Sequence, residues 1–269
     1  MTVPHNRLEG LDLARAMALL GMVLVNFRIA MGVLAGGPTW LKPLLDALEG
    51  RSAASFVVLA GIGLGLLTRK LAWSAAMTHT ARRALFLLIV GLLNYLVFPA
   101  DIIHYYAVYF LLGACCLRLP SPWLLAGGVS AMVLAKGLSL WLSPLLPNPE
   151  LAPLLATQPI PPAPLYLLFG MGSASTLIAL CLWLSRTLPE ARWWRVWLPV
   201  GRQTLTLYLA HIMLGMGMLE AIGWLQGQDL PEVVLAATLF ALAALLFANL
   251  WSQRFERGPL EWLMRRLCG

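Results

Sequence analysis

Long apolar runs fill most of the chain, and the polar residues gather in the short stretches between them. Eight runs have about the length of 17 to 25 helical residues that is needed to cross a bilayer's hydrocarbon core. They lie at 13–34, 52–68, 84–99, 102–118, 122–143, 164–184, 203–225 and 231–251. The pattern predicts an all-α protein, a polytopic membrane helical bundle of about eight transmembrane helices, with residues 1–269 forming a single integral membrane domain.

The stretches between the runs carry turn and loop signals. Phe98-Pro99-Ala100-Asp101 leaves room for only a tight turn, so the third and fourth runs are predicted to form a hairpin. Residues 144–163 contain seven prolines and show no helical periodicity, which predicts a loop. Pro164, directly after this loop, suits the first turn of the next helix.

Lys and Arg residues are distributed unequally over the two sides of the predicted bundle. With a cytoplasmic N-terminus, fifteen of the nineteen lie at cytoplasmic ends and loops. The opposite side keeps Arg28, Lys42, Arg51 and Lys136. Because cytoplasmic loops of membrane proteins are enriched in Lys and Arg, both the N- and C-termini are predicted to be cytoplasmic.

The composition agrees with this architecture and excludes several classes of protein. Hydrophobic residues make up 60% of the chain and charged residues only 12%, which excludes an ordinary soluble globule. The net charge of +7 comes from short loops rather than from one continuous basic face, so no nucleic-acid partner is expected. The four cysteines lack metal-binding spacing, so no metal is expected, and the absence of a Walker A motif disfavours ATP-driven transport.

Polar residues occur at two depths of the first predicted span. Asp12 and Arg15 lie at its cytoplasmic mouth, where they form either a local ion pair or part of a ligand site. Asn26 lies about three turns deeper. Its carboxamide either makes a hydrogen bond between helices or faces a cavity, where it would bind a substrate carbonyl or stabilise an oxyanion.

Two histidines are candidate general bases. Asp101 and His104 lie three residues apart, so on a helix the carboxylate would orient the imidazole for proton transfer. The alternative is that Asp101 caps the helix and His104 is an interfacial residue. His211 lies near the middle of the seventh run, where it either makes a hydrogen bond to a neighbouring helix or handles protons or substrate.

Five arginines on the predicted cytoplasmic side are candidates for binding a phosphate-bearing ligand, because the guanidinium group matches phosphate geometry. They are Arg7, Arg15, Arg82, Arg83 and Arg202. The distribution of positive charge that sets membrane topology accounts for the same residues without any ligand.

Four segments resemble, in the same order, the YeiB-like family of uncharacterised bacterial membrane proteins. They read RLEGLDLARAMALLGMVLVNF, RRALFLLIVGLLNYLVFPADIIHYYAVYFLLG, GRQTLTLYLAHI and FERGPLEWLMRRL. The resemblance implies a multi-pass protein of a bacterial cytoplasmic (inner) membrane. The first segment is also similar to the heparan-α-glucosaminide N-acetyltransferase family, and Asp12, Arg15 and Asn26 fall on its pattern.

The similarity to the acetyltransferase implies acyl transfer from cytosolic acetyl-CoA, or another acyl-CoA, to an envelope sugar or lipid acceptor. That family carries a histidine in the loop after the first span, whereas the corresponding MGVLAGGPTWLKP of this chain has none. His104 with Asp101, or His211, would then supply the base, while Asp12, Arg15, Asn26 and the cytoplasmic arginines would bind the acyl-CoA.

Two other functions stay open at this level. A small-solute or proton-coupled transporter would use His211, Glu220 and Lys136 as sites within the membrane. A non-catalytic membrane partner would use its glycine-rich helix faces for assembly with other chains or as a homo-oligomer. Such glycines also serve plain helix packing. In all three cases membrane lipids surround the chain.

Overall fold

A computed structural model describes residues 5–68, 121–145, 155–157, 164–188 and 192–268, together with single positions between 71 and 96. Within these residues every element is helical, as the apolar pattern predicts. The elements are α1 (His5–Ala30), α2 (Leu41–Leu48), α3 (Arg51–Thr68), α4 (Ser121–Leu142), α5 (Pro164–Thr187), α6 (Arg192–Arg195), α7 (Leu198–Arg202), α8 (Thr204–Ala210), a π-helix (His211–Met216), α9 (Gly217–Ala221), α10 (Leu230–Ser252) and α11 (Pro259–Cys268).

Five described helical segments are long and apolar enough to cross a membrane. They are Glu9–Ala30, Pro122–Leu142, Pro164–Thr187, Thr204–Ala221 and Leu230–Ser252, and they coincide with the first, fifth, sixth, seventh and eighth predicted runs. Helix α3 coincides with the second predicted run, although it is not among the five. The third and fourth runs fall almost entirely outside the described residues, so the total of about eight spans and the cytoplasmic termini stay predictions.

The first helix is shorter at its C-terminal end than the predicted run, because a glycine stops it. Helix α1 ends at Ala30, and Gly32 adopts a left-handed conformation with φ of 64°. The amide of Gly32 donates to the carbonyl of Ile29, and the amide of Val33 donates to that of Arg28 (3.1 Å). These two bonds form a Schellman motif. The apolar run continues beyond the helix through Met31, Val33 and Leu34. Hydropathy is therefore a poor guide to where the helix ends.

The chain forms two compact units, of which the first comprises Met1–Ala14, Glu49–Leu66 and His104–Glu190. In this unit α4 and α5 pack closely at two glycines. A Cβ atom on Gly128 would lie 2.7 Å from the carbonyl oxygen of Gly172, and one on Gly172 would lie 2.6 Å from that of Gly128. Gly172 therefore serves helix packing, as one of the two interpretations of the glycine-rich faces predicts.

The second unit comprises Arg15–Leu48, Leu67–Ile103 and Ala191–Gly269. Helix α10 in this unit begins with a capping box, in which the backbone amide of Asp229 donates to the carboxylate of Glu232 (3.1 Å). The first turn of α10 approaches the loop after α1, since a Cβ atom on Gly37 would lie 2.6 Å from the Pro231 ring. Polar contacts between distant segments of the second unit define the candidate site.

Candidate functional site

The helix that carries His211 changes its winding at this residue. Helix α8 ends at Ala210, residues His211–Met216 form a π-helix, and α9 resumes the α-helical winding. A π-helical segment inserts extra backbone into a helix and is often found at functional sites. Phe27 of α1 lies close to this segment, because a Cβ atom on Gly215 would approach the Phe27 ring to 2.8 Å. The apolar pattern of the sequence contains no break at this position, so it predicts uniform winding.

The buried His211 of the π-helix forms a pair with the half-buried Asn26 of α1. The side-chain Nδ2 atom of Asn26 lies 3.0 Å from Nε2 of His211, and His211 is completely buried. The other ring nitrogen, Nδ1, contacts the backbone carbonyl oxygen of Tyr208.

These partners fix the tautomer of His211. A carbonyl oxygen only accepts hydrogen bonds, so the Nδ1 atom of His211 must carry the proton and donate to Tyr208. The Nε2 atom then has a free lone pair, which accepts the hydrogen bond from the Asn26 amide. The ring is therefore a neutral imidazole that presents its basic nitrogen to Asn26.

Aromatic rings surround the imidazole. The ring centroids of Tyr208, Phe240 and Phe27 lie 5.0, 6.2 and 6.3 Å from that of His211. Phe27 and Phe240 also contact each other edge to face, with centroids 6.0 Å apart. Such an apolar shell excludes water and strengthens the polar contacts inside it.

Sequence reasoning named Asn26 and His211 separately, and the structure brings them together. Their contact confirms the helix-to-helix hydrogen bond that was one interpretation of each residue. A chemical role for either residue stays a prediction. The alternative base, His104 with Asp101, lies outside the described residues, as does Arg83.

The remaining predicted ligand residues are in part described. Asp12 and Arg15 are half-buried in α1, whereas Arg82 and Arg202 are exposed. The side chain of Arg7 is outside the described part. The binding of a phosphate-bearing ligand by these residues stays a prediction. Among the described residues no group of three or more His, Cys, Asp or Glu side chains is arranged to hold a metal ion.

An ion-pair cluster at the predicted outer end of α1 was missed by sequence reasoning. The Arg28 guanidinium donates to Asp46 (2.7 Å) and to the carbonyl of Val33 (3.1 Å), and Lys42 donates to the other carboxylate oxygen of Asp46 (2.7 Å). The hydrogen bond from Lys42 lowers the pKa of Asp46 most, burial opposes it, and Arg28 lowers the pKa further. The i,i+4 spacing of Lys42 and Asp46 on the short helix α2 is the signal that was available.

A second missed feature joins α11 to the start of α8. The carboxylate of Glu261 accepts hydrogen bonds from the backbone amides of Leu205 (2.6 Å) and Thr206 (3.1 Å) and from the Thr206 hydroxyl (2.5 Å). The Thr206 hydroxyl oxygen in turn accepts from the amide of Leu260 (3.0 Å). A carboxylate at this position pairs the free amides of a helix start and suits its positive dipole end.

Gln203, at the break between α7 and α8, is also buried. Its side-chain Nε2 atom donates to the carbonyl of Ala248 (3.0 Å) and to the Ser252 hydroxyl (3.1 Å). Its Oε1 atom has no hydrogen-bond partner in the described part of the chain. These contacts place the end of α10 beside the start of α8.

Five long apolar helical segments, two of which are joined by the Asn26–His211 contact, define a multi-pass helical membrane protein. The chain belongs to the DUF418 family, a family described as a protein of unknown function, whose model matches residues 129–269. This match agrees with the YeiB-like resemblance. The N-terminal segment, whose pattern predicts a similarity to the N-acetyltransferase family, lies outside the matched residues, and that similarity is not shown. No curated protein and no solved structure matched the chain.

Proposed function

We propose that this protein is a membrane acyltransferase that moves an acyl group from cytosolic acyl-CoA or acetyl-CoA to an envelope sugar or lipid acceptor. One observation carries the proposal, namely the 3.0 Å contact between Asn26 and His211. Acyl transfer needs a base and a hydrogen-bond donor for the carbonyl oxygen side by side. A neutral imidazole with its Nε2 lone pair against a carboxamide supplies both groups.

In this mechanism His211 first accepts a proton from the acyl acceptor and then donates it to the leaving thiolate. The acceptor hydroxyl or amine takes the place of the Asn26 amide at Nε2, which removes its proton as the acceptor atom bonds to the acyl carbon. Nδ1–H stays bound to the Tyr208 carbonyl, which keeps the ring oriented and stabilises the imidazolium. When the carbon–sulfur bond breaks, Nε2–H gives the proton to the thiolate that leaves.

Asn26 acts on the carbonyl in the same steps. Once its Nδ2–H group is released from His211, it donates to the acyl carbonyl oxygen, which gains negative charge in the transition state. Loss of one such donor typically lowers the rate by about 100- to 1000-fold.

The proposed donor site lies on the predicted cytoplasmic side. Arg15, Arg82 and Arg202 of the second unit are proposed to bind the phosphates of the acyl-CoA, as is Arg83. Their guanidinium groups would form charge-assisted hydrogen bonds to phosphate oxygens. Asp101 and His104 remain the second candidate base of the same reaction.

Binding of radiolabelled acetyl-CoA and palmitoyl-CoA to the purified full chain tests the proposal. We expect saturable binding of acyl-CoA that is weakened in Arg15→Gln. Transfer of the acyl group to the acceptor should be lost in Asn26→Ala. The matched controls are Arg186→Gln, an exposed arginine outside the proposed set, and Asn249→Ala, an asparagine of another candidate span. Equal effects in variants and controls, or no binding of either acyl-CoA by the folded protein, would contradict the proposal.

A proton-coupled transporter is the second candidate, and the complete burial of His211 within a candidate span favours it. Protonation would turn Nε2 into a donor, so Asn26 would have to rotate its amide and present Oδ1 instead. A proton would thereby change the contact between α1 and the π-helix. Solute-driven proton uptake into vesicles that is abolished by His211→Gln, without acyl-CoA binding, would select this function.

A further inference from the structure

Helix α11 is held at the start of a candidate membrane span. Glu261 of α11 bonds to the first-turn amides of Leu205 and Thr206, and the span itself runs from Thr204 to Ala221. A carboxylate within hydrogen-bond distance of the first turn fixes α11 at the depth where that span enters the membrane.

A second candidate span ends at the same level. The side chain of Gln203, which precedes α8, donates to Ala248 and Ser252 at the end of α10. The indole of Trp251 donates to the carbonyl of Arg257 (2.8 Å), which ties the segment between α10 and α11 to the end of α10. Trp251 also stacks on Phe255 with ring centroids 4.5 Å apart. Aromatic side chains of this kind concentrate at membrane–water interfaces.

Part of the exposed surface of α11 is apolar. Trp262, Leu263 and Leu267 are 53%, 37% and 61% exposed, and the two leucines lie four residues apart on one helix face. The polar Glu261 points instead at α8. An amphipathic helix with tryptophan and leucine on its free face is typical of segments that lie in the membrane interface.

The charges on α11 identify the surface that it meets. Arg265 and Arg266 of its last turn are exposed, and the Arg266 guanidinium lies 5.2 Å from the centre of the Trp262 ring. Two exposed arginines beside an apolar face complement the anionic phosphates of lipid headgroups.

We propose that α11 lies in the membrane–water interface, with Leu263 and Leu267 at the acyl boundary and with Arg265 and Arg266 bound to anionic phospholipid headgroups. Each basic side chain near an anionic surface contributes to the free energy of binding to that surface. Removing both arginines should therefore weaken partition of the helix into the membrane interface roughly 30-fold. The proposal is independent of the acyltransferase and transporter functions, because it concerns only α11 and lipid.

The native Cys268 at the end of α11 provides the probe for the test. Replacing Cys115 and Cys116 by Ser and Cys181 by Ala leaves Cys268 as the sole cysteine, and a bimane fluorophore is attached to it. The full chain is reconstituted in phosphatidylcholine vesicles with and without phosphatidylglycerol. We expect bimane to be quenched by nitroxides on shallow acyl carbons, most strongly in the anionic vesicles.

Arg265→Gln with Arg266→Gln should reduce this quenching in anionic vesicles to the level seen in phosphatidylcholine alone, whereas Arg186→Gln should leave it unchanged. Free access of aqueous iodide to the fluorophore in both kinds of vesicle would overturn the proposal. Protection from iodide and from nitroxide lipids together would also overturn it, since it would mean that protein covers the helix. Circular dichroism of each variant confirms that a loss of quenching does not reflect unfolding.

Discussion

At the scale of single side chains, the buried His211 depends on the half-buried Asn26 for its hydrogen bond at Nε2. Either residue alone has two interpretations from sequence, and only the contact shows which atoms meet. His211 has no exposed surface, so removal of its partner leaves a polar nitrogen among Phe27, Tyr208 and Phe240. An unpaired buried nitrogen costs more than the net gain from the bond that it loses.

A double-mutant cycle measures this dependence. We expect Asn26→Ala and His211→Ala each to destabilise the protein by about 1–3 kcal/mol. The coupling energy between them should be about 0.6–2 kcal/mol, the range for polar contacts between membrane helices. The measurement is reversible unfolding in mixed micelles of the four proteins. If the two single changes in the free energy of unfolding add up to that of the double variant, the two side chains do not interact.

Asp46 makes the stability of the second unit depend on pH. Its pKa is lowered in the folded protein, chiefly by the hydrogen bond from Lys42. Its ion pairs therefore contribute fully above the pKa of the unfolded chain and are lost as the pH falls through the lower, folded value. We expect the thermal midpoint to fall on acidification below about pH 4, with a smaller fall in Asp46→Asn. The control is Glu256→Gln, which removes an exposed carboxylate elsewhere. Its thermal midpoint should fall with pH as steeply as that of the wild type.

At the scale of elements, helix ends depend on side chains that are distant in sequence. The first turn of α8 has no side-chain cap of its own, since Gln203 makes none. Its amides bond instead to Glu261, which lies 56 residues beyond Leu205. Helix α1 ends by a local signal, the left-handed Gly32. Local signals of this kind are readable from sequence, whereas a remote cap is not.

Removal of the remote cap should loosen both helices. We expect Glu261→Ala to lower the free energy of unfolding by about 1–2 kcal/mol, as for other helix caps. Residues 253–268 should also become more sensitive to protease in detergent. Glu256→Ala removes an exposed carboxylate from the same region and should change stability by less than about 0.5 kcal/mol. A similar loss in both variants would show that general charge, not capping, is responsible.

The close approach of α4 and α5 predicts opposite results for adjacent glycines. A Cβ atom on Gly128 would lie 2.7 Å from a backbone oxygen, whereas one on Gly127 meets nothing within 4 Å. We expect Gly128→Ala to destabilise the first unit by about 1–3 kcal/mol through overpacking. Gly127→Ala should be neutral or stabilising by up to about 1 kcal/mol, because alanine favours helix. Thermal unfolding in detergent compares the two, and equal stability would contradict the close packing.

At the scale of the whole molecule, hydropathy predicted the long apolar helices well and the polar contacts poorly. A segment that crosses lipid must be long and apolar, and five described candidate spans match predicted runs. Helix α2 was missed because its eight residues are too few to cross a bilayer. The π-helix at His211 and the contact between Glu261 and Thr206 depend on packing between distant segments, which a periodic pattern does not encode.

The cap from Glu261 also sets an order of events during synthesis. Thr206 leaves the ribosome 55 residues before the carboxylate that will bind it. Until then, the amides at the start of α8 can be paired only by water or lipid headgroups. Formation of the candidate span that carries His211 therefore precedes the fixing of its N-terminal end. Synthesis of α11 is the late step, because only then do the first-turn amides of α8 gain a hydrogen-bond partner within the protein.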